Sequence, residues 1–170
     1  AKGAPADAGL GLVVQEMVLG LGHGECGSGV LQLVNSTTGL PQITGRYLSQ
    51  SQGREALETG AALFLESDSR GPSLQETVPE AFEELKAHAA LMRIRLRAEM
   101  QIEFTIESGN VHILDGVRVQ RSSRAAVRIA VRLAKDGIIP KQEALIRVEP
   151  RALSELLHRQ VDPEAQRDVI

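Results

Sequence analysis

The sequence predicts an α+β fold: an antiparallel sheet with one long helix, followed by short helices. Three observations carry this. Two alternating runs, Gln101–Glu107 and Val111–Asp115, flank Ser108-Gly109-Asn110, and a Gly-centred break between alternating runs reads as a β-hairpin. Phe82, Leu85, Ala89, Met92 and Leu96 recur at spacings of three and four, the stripe of an amphipathic helix. Three earlier strand-like runs are joined by short turns, which favours an antiparallel meander over βαβ units.

The elements follow in order. Residues 1–9 are Ala/Gly/Pro-rich and form a loose lead-in. Leu12–Leu19 is an apolar run of strand length. Gly20–Gly29 holds five glycines in ten residues, a candidate phosphate cradle or, on the plainer reading, a mobile turn. Val30–Val34 is a second strand, Asn35–Gly39 a turn, and Gln42–Leu48 a third, more polar strand. Arg54–Leu65 is compatible with a short helix or strand, and Ser67–Ser73 with a surface loop. Thr77 is a candidate cap and Pro79 suits the first turn of a helix over residues 79–99. Its acids, Glu80, Glu83 and Glu84, lie at the N-terminal end and Arg93, Arg95 and Arg97 at the other, so both ends complement the helix dipole. After the hairpin, Ser122 or Ser123 caps a helix over 124–135 that Asp136-Gly137 stops. Further helices cover 141–148 and 151–158, and Asp162-Pro163 opens an extended tail or another turn.

Composition narrows the function. At 170 residues the chain is one domain, or a domain with an extension, and is long enough to bury a core. Net charge is −3, with 19 basic and 22 acidic residues, so no global field points to nucleic acid or a membrane surface. Aromatics make up 2% with no Trp, which removes stacking platforms for single-stranded nucleic acid. Cys26 is the single cysteine, which excludes an internal disulfide and a thiolate zinc cluster and suits a reducing cytoplasm. No signal-peptide pattern and no apolar run of membrane-spanning length is present. Opening on Ala-Lys-Gly-Ala-Pro and ending on Asp168-Val169-Ile170, the chain reads as a piece of a longer protein.

The hairpin is the strongest place for chemistry. Glu103 and Asp115 sit on opposite arms, and two cross-strand carboxylates repel unless a cation or proton lies between them. Mg²⁺ takes oxygen ligands and commonly uses one or two carboxylates beside waters; the plainer reading is two solvated acids. Register decides. A two-residue Ser108-Gly109 turn pairs Glu103 with Leu114 and turns Asp115 to the other face, whereas a three-residue Ser-Gly-Asn loop pairs Glu103 with Asp115. His112 is a candidate proton shuttle or a surface histidine, and His23, His88 and His158 share no ligand spacing with it. Cys26 has no evident partner. Arg118, Arg121 and Arg124 are candidate phosphate contacts or, more plainly, a solvated helix entrance.

Several stretches carry a resemblance. Met17-Val18-Leu19-Gly20 with Cys26-Gly27-Ser28-Gly29-Val30, the Asn35–Gly39 turn, Gly45–Leu48 through Gln52-Gly53, Ile102–Glu107, Ala125–Ala130, and Arg147–Pro150 through Leu156-Leu157-His158 resemble the nucleotide-binding portion of the pyruvate, phosphate dikinases. More distantly, they resemble the phosphoenolpyruvate synthases. The resemblance runs from about Gly11 to Pro163 and is weakest over 58–76.

That resemblance implies the C-terminal half of an ATP-grasp domain over residues 1–120. Residues 121–170 are then a helical linker leading toward a phosphohistidine domain. It implies Mg²⁺ and ATP as ligands, with Gly27, Ser28, Gly29, Glu103 and Asp115 near the nucleotide and Glu103 and Asp115 on the metal. The N-terminal half of the ATP-grasp domain is implied as a partner, and a lone half-domain with exposed apolar surface would self-associate. The family's hairpin begins with an acid where this chain has Gln101, and reads Gln-Thr-Arg where it has Asp115-Gly116-Val117. Val117 therefore occupies the catalytic arginine's position and leaves that role without a residue. Val34 and Ser36 also replace an arginine and a proline of the family, Arg46 a glutamate, Gln50 an asparagine and Arg54 a glutamate.

Two functions follow. One is a dikinase-like phosphotransferase segment that binds Mg-ATP but cannot turn pyruvate into phosphoenolpyruvate by itself. The other is a catalytically degenerate ATP-grasp-like module with a regulatory or scaffold role, since a fold does not carry function once its site has changed. Nucleotide binding that depends on Glu103 separates them.

Overall fold

The computed structural model describes residues 12, 14–52 and 62–157. In chain order these form β1 (Gly27–Val34), β2 (Pro41–Ser49), β3 (Leu63–Phe64), α1 (Leu74–Thr77), α2 (Pro79–Leu96), β4 (Met100–Glu107), β5 (Asn110–Arg118), α3 (Ser123–Lys135), α4 (Lys141–Ile146) and α5 (Pro150–Leu157). The strands make one five-stranded sheet in the order β3-β2-β1-β4-β5, antiparallel at every pairing. The α+β expectation holds, and β1–β2 is the expected short-turn pair.

The N-terminal strand is a correction. The described residues of Leu12–Leu19 form no strand. Both edges of β1 are already taken, by β2 on one side and β4 on the other. The run is held by single bonds instead: the Leu19 N–H donates to Glu107 Oε1 at 3.0 Å, and the Gly20 N–H to Gln52 Oε1 at 2.8 Å. Leu12, Val14 and Met17 remain exposed. Of Arg54–Leu65, residues 54–61 and the expectation placed on them lie outside the described residues, and Leu63–Phe64 form β3. His158 and the Asp162-Pro163 turn also lie outside them.

Helix α2 starts at Pro79 as expected, but its N-cap is Val78, which makes no side-chain capping bond. Thr77 instead ends α1, whose cap Ser73 and third residue Glu76 form a reciprocal capping box. The stripe on α2 buries Phe82, Leu85 and Ala89, leaves Met92 half-buried and exposes Leu96. Against it pack Met100, Ile102, Phe104 and Ile106 of β4, with Leu31 and Tyr47. Each large side chain buried there contributes about 1.5–3 kcal/mol. Tyr47 and Phe104 stack with ring centroids 6.1 Å apart.

The last three helices build a second cluster. Ala125, Ile129, Ala130 and Leu133 of α3 meet Ile139 and Ala144, and Val34 and Val119 join them from the ends of β1 and β5. Ser122 caps α3, accepting from the Ala125 N–H at 3.1 Å, and Gly137 leaves the helix at φ +71°, a conformation glycine adopts without penalty. Arg93 near the end of α2 bridges the clusters, bonding buried Glu99 and Asp136 at 2.6 Å each; Arg97 pairs with Glu143. No helix among the described residues is long and apolar enough to cross a membrane.

Candidate functional site

Strand alternation gives the sheet two faces. One carries the α2 core. The other displays Thr44 and Arg46 of β2, Ser28, Val30 and Gln32 of β1, Gln101, Glu103 and Thr105 of β4, and His112, Asp115 and Val117 of β5, as the pairing registers dictate.

Glu103 and Asp115 are direct cross-strand partners on this second face. The route to that register differs from both sequence expectations. The hairpin turn is the two-residue one: Glu107 pairs with Asn110, and Ser108 and Gly109 both have positive φ, +51° and +85°, as a type I′ turn requires. Regular pairing from there would set Glu103 against Leu114. Instead the ladder slips between Glu103 and Phe104: Phe104 pairs with Ile113 and Glu103 with Asp115. Leu114 is thus the extra residue of a β-bulge inside the strand. A Cβ on the next residue, Gly116, would lie 2.5 Å from the Met92 methyl of α2, so Gly116 faces the core and Asp115 faces away. The three-residue loop is therefore not needed to bring the carboxylates together.

The carboxylates are lightly engaged. Asp115 Oδ1 accepts from the Gly116 N–H at 2.7 Å. Asp115 is exposed and Glu103 half-buried. Among the described residues no group of three or more His, Cys, Asp or Glu side chains is arranged to hold a metal, so a cation here relies on these two acids and on its ligand's own oxygens. That suits Mg²⁺, which keeps waters or phosphate oxygens beside one or two carboxylates.

The neighbouring positions are occupied differently. Gln101, beside Glu103, accepts a 3.0 Å bond on Oε1 from Gln32 Nε2 across the ladder, which engages one of that oxygen's two lone pairs. Val117 is Gln101's partner on β5 and is exposed; an aliphatic side chain offers no charge to an anion. Thr105 is wholly buried, and its Oγ1 has no hydrogen-bond partner among the described residues; its cross-strand neighbours are Ser28 and His112. Ser28 and Ser51 share a 2.8 Å hydroxyl bond.

The glycines of residues 27–29 belong to β1, not to a turn. Their segment pairs with β2 on one side and β4 on the other, which commits its backbone to the ladders. Gly27 and Gly29 face the aromatic stack. A Cβ on Gly27 would lie 2.5 Å from the Tyr47 hydroxyl, and one on Gly29 2.6 Å from the Phe104 ring. Only Ser28 of the three shares the carboxylate face. The loop before β1 docks on the hairpin tip, since the Gly109 N–H donates to Glu25 O at 2.8 Å and the Ser108 N–H to Cys26 Sγ at 3.3 Å. Cys26 is buried, so it has partners that its sequence context did not disclose. His23 and His112 line a cleft of about 490 Å³ between loop and tip. Glu25 also accepts from the Tyr47 hydroxyl at 2.7 Å; burial first, then this carboxylate, pushes the phenol well above its ordinary range. Arg121 and Arg124 are exposed at the entrance to α3.

The sequence itself aligns with known proteins along nearly its whole length. It is 35% identical to the pyruvate, phosphate dikinase of Rhizobium meliloti (strain 1021), over 99% of this chain and 20% of that protein. The chain is a sequence relative of the pyruvate, phosphate dikinases. The dikinase of Rickettsia prowazekii (strain Madrid E) is 33% identical over 92% of the chain and 18% of its own length. The chloroplastic dikinase of Mesembryanthemum crystallinum is 32% identical over 94% and 16%. The chain thus spans about a fifth of the length of these dikinases. No protein-family model matches it.

Sequence reasoning missed the Gln32–Gln101 bond and the Leu114 bulge. Neither leaves a mark in composition or periodicity, because both depend on which residues meet across a ladder.

Proposed function

We propose that this chain is a metal- and nucleotide-binding segment of a dikinase-like phosphotransferase, the C-terminal half of an ATP-grasp domain over residues 1–120 with a helical linker after it. The observation that carries the reading is the opposed pair Glu103 and Asp115 on the face away from α2. Glu103 and Asp115 would hold Mg²⁺ on ATP, and Gly27, Ser28 and Gly29 would support the floor beneath it. Bound Mg²⁺ supplies charge neutralisation on the phosphates. Gln101 contributes little, because a neutral amide ligates Mg²⁺ more weakly than a carboxylate and its oxygen already accepts from Gln32.

A second reading has its own support. Val117 leaves the face without an arginine on β5, and such an arginine is worth several orders of magnitude in phosphoryl-transfer rate. On that reading the fold is kept while phosphoryl transfer is lost, and the chain serves as a regulatory or scaffold module. The ATP-grasp N-terminal half, the phosphohistidine and the pyruvate-binding parts would come from other sequence.

Isothermal titration of the chain with Mg-ATP separates the two readings. Saturable heat that Glu103→Gln abolishes, in a variant with an unchanged melting temperature, is expected. No heat at millimolar nucleotide would remove nucleotide binding from the account. Hydrolysis or phosphoryl transfer by the binding-competent chain would then discard the scaffold reading.

A further inference from the structure

Arg46 lies in the same cross-strand row as the two carboxylates. Arg46 pairs with Val30, Val30 with Glu103 and Glu103 with Asp115. All four side chains therefore point to the face away from α2, with Val30 buried between Arg46 and Glu103. Two strand spacings, about 10 Å, separate Arg46 from Glu103, a span that a polyphosphate chain carrying a metal at one end can bridge.

The guanidinium is positioned but poorly satisfied. Its Cζ sits 3.8 Å from the centroid of Phe64, its partner on β3. Among the described residues its hydrogen bond is a single long one, from Nη1 to Ala62 O at 3.4 Å. An arginine has five N–H donors, and this one is half-buried. Among the described residues no carboxylate forms an ion pair with it. The nearby Asp68 is held bidentately by Arg70, at 2.9 and 2.6 Å. Arg46, Thr44 and Gln42 line an open cleft of about 300 Å³; Glu66 and Asp68 line it too, with Asp68 neutralised by Arg70. Phe64 fixes the plane of the guanidinium by stacking, as suits a bidentate anion contact.

We propose that Arg46 binds the phosphate oxygens of a metal–polyphosphate whose metal sits at Glu103 and Asp115, supplying from β2 the positive charge that Val117 does not supply from β5. The inference rests on the nucleotide-binding reading above. It makes Arg46 a binding residue and predicts that the recognised group is the polyphosphate, not the base.

The test is titration of the chain with Mg-tripolyphosphate and with Mg-ATP, for the natural sequence, Arg46→Met, Phe64→Leu and Glu103→Gln. Met keeps an apolar side chain on Phe64 and removes the charge; Leu removes the stack and keeps the charge. The natural chain is expected to bind both ligands with a salt-dependent constant. Arg46→Met should weaken both by roughly tenfold or more and flatten the salt dependence, while Phe64→Leu should weaken them less. If the natural chain binds but Arg46→Met binds equally well with equal salt dependence, the Arg46 assignment fails and the carboxylate reading stands. If neither ligand binds the natural chain, both fail. A fall in melting temperature for Arg46→Met without a change in affinity assigns Arg46 to packing alone and overturns the proposal.

Discussion

Replacing Gly29 by alanine separates a packing role from a ligand-binding role at the most glycine-rich part of the chain. A Cβ there would lie 2.5 Å from the Arg46 carbonyl oxygen and 2.6 Å from Phe104 Cζ. The ring has some freedom; the carbonyl belongs to the β1–β2 ladder and has little. Strand and ring must therefore move apart at the centre of the Tyr47–Phe104 stack. Overpacking of this kind costs about 1–3 kcal/mol. For a chain of this size each kcal/mol lowers the melting temperature by about 2–4 °C, so Gly29→Ala should melt roughly 2–12 °C lower. Tyr47 is the one tyrosine and the chain has no Trp, so near-ultraviolet circular dichroism reports the stack directly and should lose intensity. Mg-ATP affinity, measured well below the melting temperature, should fall by no more than about twofold, because the added methyl group faces the aromatic stack and not the carboxylates. A variant with native stability and weakened nucleotide binding would refute the reasoning and make Gly29 a phosphate contact.

Other expectations follow from the same geometry. Arg93→Ala leaves Glu99, 4% exposed, as a buried unpaired charge; a loss of about 3 kcal/mol by urea denaturation is expected, and a loss under about 1 kcal/mol would show that Glu99 finds water or a new partner. Asp68 is held down to about 2, first by the Arg70 side-chain bond. A carboxylate with a depressed folded value stabilises above its ordinary titration, near 3.9, and that contribution disappears as pH falls toward 2. The melting-temperature difference between the natural chain and Asp68→Asn should therefore shrink from pH 5 to pH 2, and a constant difference would contradict the pairing. Deleting Leu114 removes the bulge yet leaves Asp115 opposite Glu103 in a regular ladder. Mg-ATP affinity should stay within about twofold, and loss of binding in a folded variant would mean that the bulge itself aims Asp115.

Much of the architecture was legible because it depends on local signals. The α2 stripe, Pro79 at its start, Ser122 as a cap and Gly137 as a stop are each read within a few residues. The Leu12–Leu19 run misled because apolar content does not say whether a sheet edge is available, and here β4 takes the edge of β1. Thr77 misled because Ser73 and Glu76 already cap a separate short helix, α1, that Thr77 ends. The candidate site was half legible. Glu103 and Asp115 stood out by their places on the two arms, but their meeting depends on a one-residue bulge that no propensity announces. The position of Gln101 was visible and its bond to Gln32 was not, since residues 69 apart meet only through sheet order. Arg46 carries the same lesson. Its place in the carboxylate row is a property of two registers, not of any motif.

The central claim is that Glu103 and Asp115 share one metal ion. A double-mutant cycle on Mg-ATP affinity, with Glu103→Gln, Asp115→Asn and the pair, tests it most directly. Two ligands to one ion lose their effect together, so the cycle should be non-additive, with a coupling of about 1 kcal/mol or more. Additive losses, or none, would contradict a shared metal and leave two independent surface acids on the sheet.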